Sequence, residues 1–340
     1  EADMLDMWRV TARYLLFVLA FLVLCQKSSG QQQGMYNQYL TNLYYFNPAF
    51  AGVGGSMEFS LMAREQWLGY AERPRTYSLN YQMNVLNNPL LGQDLEMKSV
   101  RRGSNARSMG EIFEKASMGA AGTIFSDING RVRRTGIQAA YSYQILMGDW
   151  LVAAGLGVSF MQYKVNVLPK DLFDPNVDDP LIAAGKPNQG YAPDFNVGAM
   201  CSNGTIWGGL SVNALMQNAL QFGTYNEKNA YKQLRQVYVM GGYNLTLRPG
   251  VVLEPSTLIT FNSAWQWGGD VCMKIAYQDR FWGAVAYRTL SDMILMAGVR
   301  YGRLSFSYAF SYTIAGPQTI GRYGTHEFAV GFRVTGKKKK

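Results

Sequence analysis

Between Arg303 and Thr313 the chain reads RLSFSYAFSYT, a strict two-residue alternation. Leu304, Phe306, Tyr308, Phe310 and Tyr312 fall on one face, and Ser305, Ser307, Ala309 and Ser311 on the other. Such a period is that of a β-strand, because successive side chains leave opposite sides of the backbone. TYSLNYQMN repeats it, with Tyr77, Leu79, Tyr81 and Met83 set against Ser78, Asn80, Gln82 and Asn84. GIQAAYSYQILM does so again, with Ile137, Tyr141, Tyr143 and Ile145 opposite Gln138, Ser142 and Gln144. From Ser56 onward these segments follow one another almost without helical periodicity, which predicts an all-β protein.

Spacing of the breaks predicts the architecture. Tight turns fall at Gly148-Asp149, Ser202-Asn203-Gly204, Arg248-Pro249-Gly250, Gln278-Asp279-Arg280 and Tyr301-Gly302-Arg303, and the connections between them are mostly longer, as at Leu168–Ala192, Leu220–Asn229 and Ala315–Thr325. Short turns at one rim and long loops at the other mark a transmembrane β-barrel of the outer-membrane type. Roughly fourteen antiparallel strands are expected, each reaching the ~9–11 residues a tilted membrane strand needs. An even number closes the sheet and leaves no edge unpaired. Leu86–Lys115, which contains MKSVRRGSNAR, is a long exception on the short-turn rim.

Composition narrows the choice. Only 16% of residues are charged, 22 are Tyr and 36 are Gly, yet mean hydropathy is −0.11. That excludes a bundle of membrane helices and suits either a lipid-facing barrel or a secreted β-sandwich; the rim asymmetry favours the barrel. Ahead of the strands, Trp8–Arg13 carries two positive charges, Tyr14–Leu24 is apolar, and Ser28-Ser29-Gly30 supplies small residues for cleavage. Residues 1–30 therefore read as a signal peptide, 31–55 as a plug or periplasmic segment, 56–335 as the barrel and 336–340 as a basic periplasmic tail. Cys25 leaves with the leader; alternation sends Cys201 and Cys272 to opposite faces, where they cannot form a disulfide.

If the aromatic face meets lipid, Glu58, Arg64, Glu254, Arg288, Arg300, Glu327 and Arg333 point into the lumen. Charges of both signs there fit a structural ladder or a selectivity lining. Catalysis is not expected. His326 is the only histidine, no G-x-S-x-G occurs, and no set of ligands has the spacing of a metal site; GLGVSF at Gly155–Phe160 is an incomplete dinucleotide loop inside a strand. No cofactor is implied. Asp171, Asp174, Asp178 and Asp179 make one long loop acidic without EF-hand spacing, and with Trp67 they are the candidate surface-loop contact.

The segment QYLTNLYYFNPAFAG, Gln38–Gly52, fits neither leader nor strand. It is similar to the mature N-terminal motif of the PorP/SprF family of outer-membrane proteins of the type IX secretion and gliding apparatus. The resemblance continues through AREQWLGYAERPRTYSLNYQMNV, with Arg64, Gln66, Trp67, Gly69, Pro74 and Thr76. It extends through WGGLSVNAL, VLEPSTLITF, FWGAVAYRTLSDMILMAGV, LSFSYAFSYTI and GTHEFAVGFRV. It implies a non-enzymatic outer-membrane barrel that docks or anchors secreted proteins with C-terminal sorting domains. The implied partners are a periplasmic peptidoglycan-binding lipoprotein and ring-forming subunits, with no nucleic acid, and both termini are expected in the periplasm. The competing reading is an outer-membrane channel for hydrophobic small molecules with an N-terminal hatch. Tyr39, Tyr44, Tyr45, Phe46, Asn47 and Pro48 are expected to hold a plug at the lumen or periplasmic mouth, or else to form a lead-in to the first strand.

Overall fold

The structure, a computed structural model, describes residues 36–85, 116–165, 189–217, 219–220, 231–289, 292–314 and 323–334. The leader, Leu86–Lys115, the four loop aspartates Asp171, Asp174, Asp178 and Asp179, and the lysine tail lie outside the described residues. Strands β1 (Met57–Glu65) and β2 (Arg75–Asn84) come first. Four long strands follow: β3 (Ala116–Asn129), β4 (Val132–Met147), β5 (Trp150–Val165) and β6 (Gln189–Ser202). After β7 (Ile206–Asn213) comes a small hairpin of β8 (Ala219–Leu220) and β9 (Tyr231–Lys232). Then come β10 (Gln236–Tyr243), β11 (Leu245–Arg248), β12 (Val251–Asn262) and β13 (Trp267–Tyr277). The chain finishes with β14 (Phe281–Arg288), β15 (Asp292–Tyr301), β16 (Leu304–Thr313) and β17 (Thr325–Val334).

All pairings are antiparallel, and the sheet closes into one ring, in which β10 joins β12 and the first strand β1 joins the last, β17. The result is a closed barrel of fourteen strands with β11 as an additional short one. The pairing of β11 keeps the register in which β10 meets β12, so it prolongs β10 beyond a break. The break has a cause. Pro255 of β12 stands at the level where the pairing lapses, between Gly242↔Ser256 and Leu245↔Leu253, and proline has no N–H to give the ladder. Pro193 in β6 is accommodated differently: it stands opposite Phe160 of β5, beyond the β6–β7 ladder, which begins at Val197.

Followed once round the sheet, the registers return to β1 displaced by one residue per strand. With a rise of ~3.4 Å per residue and ~4.8 Å between strands, that stagger tilts the strands by roughly 35° and gives a backbone radius of roughly 13 Å. β1 begins and β17 ends at one rim, here the terminal rim. It carries the turns at Gly148-Asp149, Pro249-Gly250 and Gly302-Arg303. β3–β6, 14 to 16 residues long, rise above their neighbours at the far rim. Far-rim connections are not all long, since Gly130-Arg131, with Gly130 at φ 57°, joins β3 to β4 directly. β6 starts at Gln189, inside the stretch that its Asp, Pro and Asn content marks as loop.

Outward positions are apolar: Leu61, Leu79, Ile124, Ile137, Leu156, Val158, Val271 and Leu295 are all exposed, and Tyr77, Tyr141, Tyr287 and Phe328 stand among them. Inward positions include many polar residues, among them Thr76, Ser78, Asn80, Thr123, Gln138, Ser142 and Gln144, all buried, with larger side chains such as Phe125, Trp207, Tyr238 and Leu258 between them. No helix among the described residues is long and apolar enough to cross a membrane, and the strands supply the apolar wall. Cys201 lies exposed on this wall and Cys272 is buried inside; both are free thiols.

Leu156 sits at mid-height of the wall and is 63% exposed. Leu156→Arg should therefore cost about 2–4 kcal/mol when the barrel is refolded in lipid vesicles, read as a lower denaturant midpoint. An unchanged midpoint would mean that this face does not meet hydrocarbon.

Candidate functional site

A barrel of this radius cannot fill itself with its own side chains, and the N-terminal segment occupies the space. Tyr39–Thr41 forms a 3-10 turn, α1 (Leu43–Phe46) a single α-helical turn, and Pro48–Phe50 a second 3-10 turn. Asn47 separates the last two in an extended conformation, and its Oδ1 accepts from Ala49 N–H at 3.0 Å. A helix cannot run through Asn47-Pro48, because the proline ring restricts the residue before it. The segment therefore folds as short turns that turn their backbone groups toward the wall.

The wall meets them with a row of its smallest residues. Gly119, Ser142, Gly155, Gly198 and Ser211 stand directly opposite one another across β3, β4, β5, β6 and β7. Phe46–Ala51 lies across this row. Ser211 Oγ donates to Phe46 O at 2.8 Å; Ser142 Oγ and Gln144 Nε2 donate to Ala51 O at 2.7 and 2.8 Å. Asn47 Nδ2 donates to the wall carbonyls of Ala199 and Leu210 at 3.0 and 3.3 Å. A Cβ on Gly155 would stand 2.2 Å from Ala49 N, and one on Gly198 would stand 2.0 Å from Asn47 Oδ1. Only glycine lets the two backbones approach so closely.

The aromatic rings fill the remaining width. Tyr39, Tyr44, Tyr45 and Phe46 are each at most 2% exposed. Tyr45 meets Tyr36 and Phe46 edge-on at 5.0 and 5.3 Å, and Phe46 meets Tyr238 at 5.4 Å. Phe50 packs edge-on against Trp207 at 5.7 Å. Such contacts add to the gain from burial. Each polar tip has a partner: Tyr39 Oη shares a hydrogen bond with Ser256 Oγ at 3.0 Å, and Tyr44 Oη donates to Gly122 O at 3.2 Å. Burial pushes both phenols above their usual range, so they stay protonated.

At the other end the segment is held by charge. Glu327 of β17 accepts from the backbone N–H groups of Asn37 and Gln38 at 2.9 and 3.0 Å. Arg288 of β14 makes two bonds to Asp270, at 2.9 and 2.8 Å, and reaches Tyr36 O at 3.2 Å and Asn37 Oδ1 at 3.3 Å. Arg64 faces Glu327 across the β1–β17 pairing at 3.7 Å. These groups lie near the far rim, whereas Ala51 contacts wall residues near the terminal rim. The segment thus crosses the lumen from one end to the other before it enters β1.

The remaining lumen charges lie toward the terminal rim. Glu58 pairs with Arg333, and Glu254 with Lys274 at 2.9 Å. Arg300 lines a cavity of about 320 Å³ between the plug and β1, β2 and β13–β17. Trp67 is half-buried in the far-rim connection from β1 to β2, at φ 51°. Sequence reading misses Tyr36–Gln38, Asp270 and the glycine–serine row. Gly155, passed over as part of a stray nucleotide-loop pattern, is in fact the closest point of plug contact on β5. Interior glycines in strands are a signal of close backbone approach; their alignment depends on register and is not visible in one strand at a time.

These features define a class, a membrane-spanning β-barrel with an apolar outer wall and a lumen closed by its own N-terminal segment. The profile of the type IX secretion system membrane protein PorP/SprF matches residues 28–332, and the chain belongs to that family. It is thus an outer-membrane barrel of type IX secretion, from a family of secretion components rather than enzymes. No curated protein matches. Similar solved structures include the Pseudomonas putida toluene transporter TodX, 10% identical over 90% of this chain and 95% of the other, with a TM-score of 0.46. Acinetobacter baumannii Omp33 is 7% identical over 83% and 100%, with a TM-score of 0.43. The Ralstonia pickettii toluene transporter TbuX is 10% identical over 90% and 94%, with a TM-score of 0.42. At such scores nothing about ligands passes from them to this chain.

Gly198→Val should push Asn47 off its seat and unblock the lumen. Planar-bilayer conductance should rise from near zero to a measurable open level, while Gly54→Val, with open space around it and no positive φ, should not change it. Equal conductance in both variants would show that the row does not seat the plug.

Proposed function

We propose that this barrel works as a docking and anchoring platform of the type IX secretion system and not as a conduit. On this reading it retains secreted proteins with C-terminal sorting domains at its far, cell-surface rim. The terminal rim faces the periplasm and contacts a peptidoglycan-binding lipoprotein and ring-forming subunits. The observation that carries the proposal is the closure of the lumen by a segment bonded to the wall at both ends. A protein that conducts its substrate would need that path clear. A polar interior also argues against a channel for hydrophobic small molecules, since the inner face is set with Asn80, Ser78, Thr123, Ser211 and Ser311.

Trp67 stands beside the far rim, and the aspartates Asp171, Asp174, Asp178 and Asp179 belong to the connection from β5 to β6 at the same rim. We assign these five residues to cargo contact. Deleting Asp171–Asp179 should leave the barrel folded and weaken cargo retention. The role as a whole is tested by crosslinking in whole cells and pulling down the full-length barrel. Mass spectrometry should recover periplasmic secretion subunits and a C-terminally sorted surface protein. Recovery of lipid alone, together with uptake of an aromatic hydrocarbon by vesicles containing the barrel, would overturn the platform in favour of the channel.

A further inference from the structure

Among the described residues, the buried carboxylates of Asp270, Asp292 and Glu327 each face an arginine, Arg288 or Arg64. Asp194 of β6 is 1% exposed and has no such partner. Its Oδ1 accepts from Phe195 N–H at 2.7 Å and from Met216 N–H at 3.0 Å. Its Oδ2 accepts from nothing. A carboxylate taken out of water without a counter-charge is strongly unfavourable. Two further buried oxygens in this part of the chain are equally bare: Asn213 Oδ1 at the end of β7, and Gln233 Oε1 ahead of β10. All three atoms are acceptors, so what completes them is positive charge.

The connection that follows β7 draws these residues together. The β6–β7 ladder stops at Val197↔Val212, and Ala214–Met216 carries the contact with β6 beyond it. Ala214 N–H donates to Asn196 Oδ1 at 3.2 Å, Leu215 N–H to Phe195 O at 3.1 Å, and Met216 N–H to Asp194 Oδ1. Asn213 therefore lies beside Asn196, the inward neighbour of Asp194 on β6, and meets Gln236 of β10 on its other side. Diagonal neighbours on one face of a sheet are ~7–8 Å apart, close enough to share a ligand. Arg235, two residues after Gln233, reaches the same connection but donates to Leu215 O at 3.0 Å instead of pairing with Asp194. Ala214 and Gln217 hold φ at 60° and 48°. Left-handed backbone at non-glycine residues costs energy and gathers where ligands are held.

We propose that Asp194, Asn213 and Gln233 form a far-rim site for a hard divalent cation of the calcium class. One carboxylate and two amide oxygens are the donors such an ion takes, with water in its remaining positions. Soft-metal chemistry is not offered, since no group of three His, Cys, Asp or Glu side chains comes together among the described residues. A single ligand charge sets a weak affinity, with a Kd on the order of 10⁻⁴–10⁻³ M, as in extracellular calcium modules. The ion takes the place of the ladder bonds that β6 and β7 lack above Val197, and it ties the connection to the wall. This site goes beyond the platform reading and stands whether or not that reading does.

The test uses the full-length barrel in zwitterionic detergent, stripped with a chelator and titrated with calcium chloride. Calorimetry should show one binding event, and the thermal midpoint should rise with calcium but not with sodium at equal ionic strength. Asp194→Asn, which keeps the size of the side chain and its Oδ1 acceptor, should weaken binding at least about tenfold and remove the midpoint rise. If that variant does not fold, Asn213→Asp supplies a second ligand charge. It should tighten binding about tenfold and lower the midpoint in chelator, where two carboxylates repel. No calcium binding by the unaltered barrel, or the same affinity in the variants, would overturn the site. A higher midpoint for Asp194→Asn in chelator, with no response of the unaltered barrel to calcium, would overturn it in favour of water or a proton on Asp194.

Discussion

The governing constraint is width. A fourteen-stranded sheet closed with one residue of stagger per strand encloses more space than inward side chains can occupy. That space must hold either water or another part of the chain. Here the chain supplies six aromatic rings between Tyr36 and Phe50, and it pairs polar tips and backbone groups of that segment with the inner face. Everything else about the lumen follows from this choice. Gly119, Ser142, Gly155, Gly198 and Ser211 of β3–β7 are small because backbone must come close there. Glu58, Lys274, Arg300 and Arg333, on the other side, border the space that remains.

The division of labour has an electrostatic logic. Buried charges in a low-dielectric lumen are costly unless each is answered. Asp270 is answered by two bonds from Arg288, and Glu327 by two backbone N–H groups and Arg64. Neither carboxylate is left to the sheet alone; both become part of the device that holds the plug. The lumen charges thus act as a structural ladder at the far rim, while those at the terminal rim border open space.

Much of the fold is legible in the chain. Alternation at Leu304–Tyr312 and Tyr77–Met83 shows strands and their faces, and the spacing of turns shows a barrel of about fourteen strands. The aromatic run at Tyr39–Phe46 stands out because it matches neither period. What escapes a reading of one strand at a time depends on register. Gly119, Ser142, Gly155, Gly198 and Ser211 come from five separate strands, and nothing local marks them as one line. Gln189 escapes for a different reason, since strand β6 begins among residues that favour loops. Pro193 is tolerated there because the β6–β7 ladder begins only at Val197.

The seam between β1 and β17 deserves a different reading, as an event in assembly. It joins strands from opposite ends of the chain, and it is where Glu58 meets Arg333 and Arg64 meets Glu327. Glu327, on the last strand, also receives the backbone of Asn37 and Gln38, which precede the first. The residues that close the wall at this seam are therefore also the ones that hold the far-rim end of the plug, while β3–β7 hold the rest of it. A barrel without its last strand lacks the wall's closure and that anchor together.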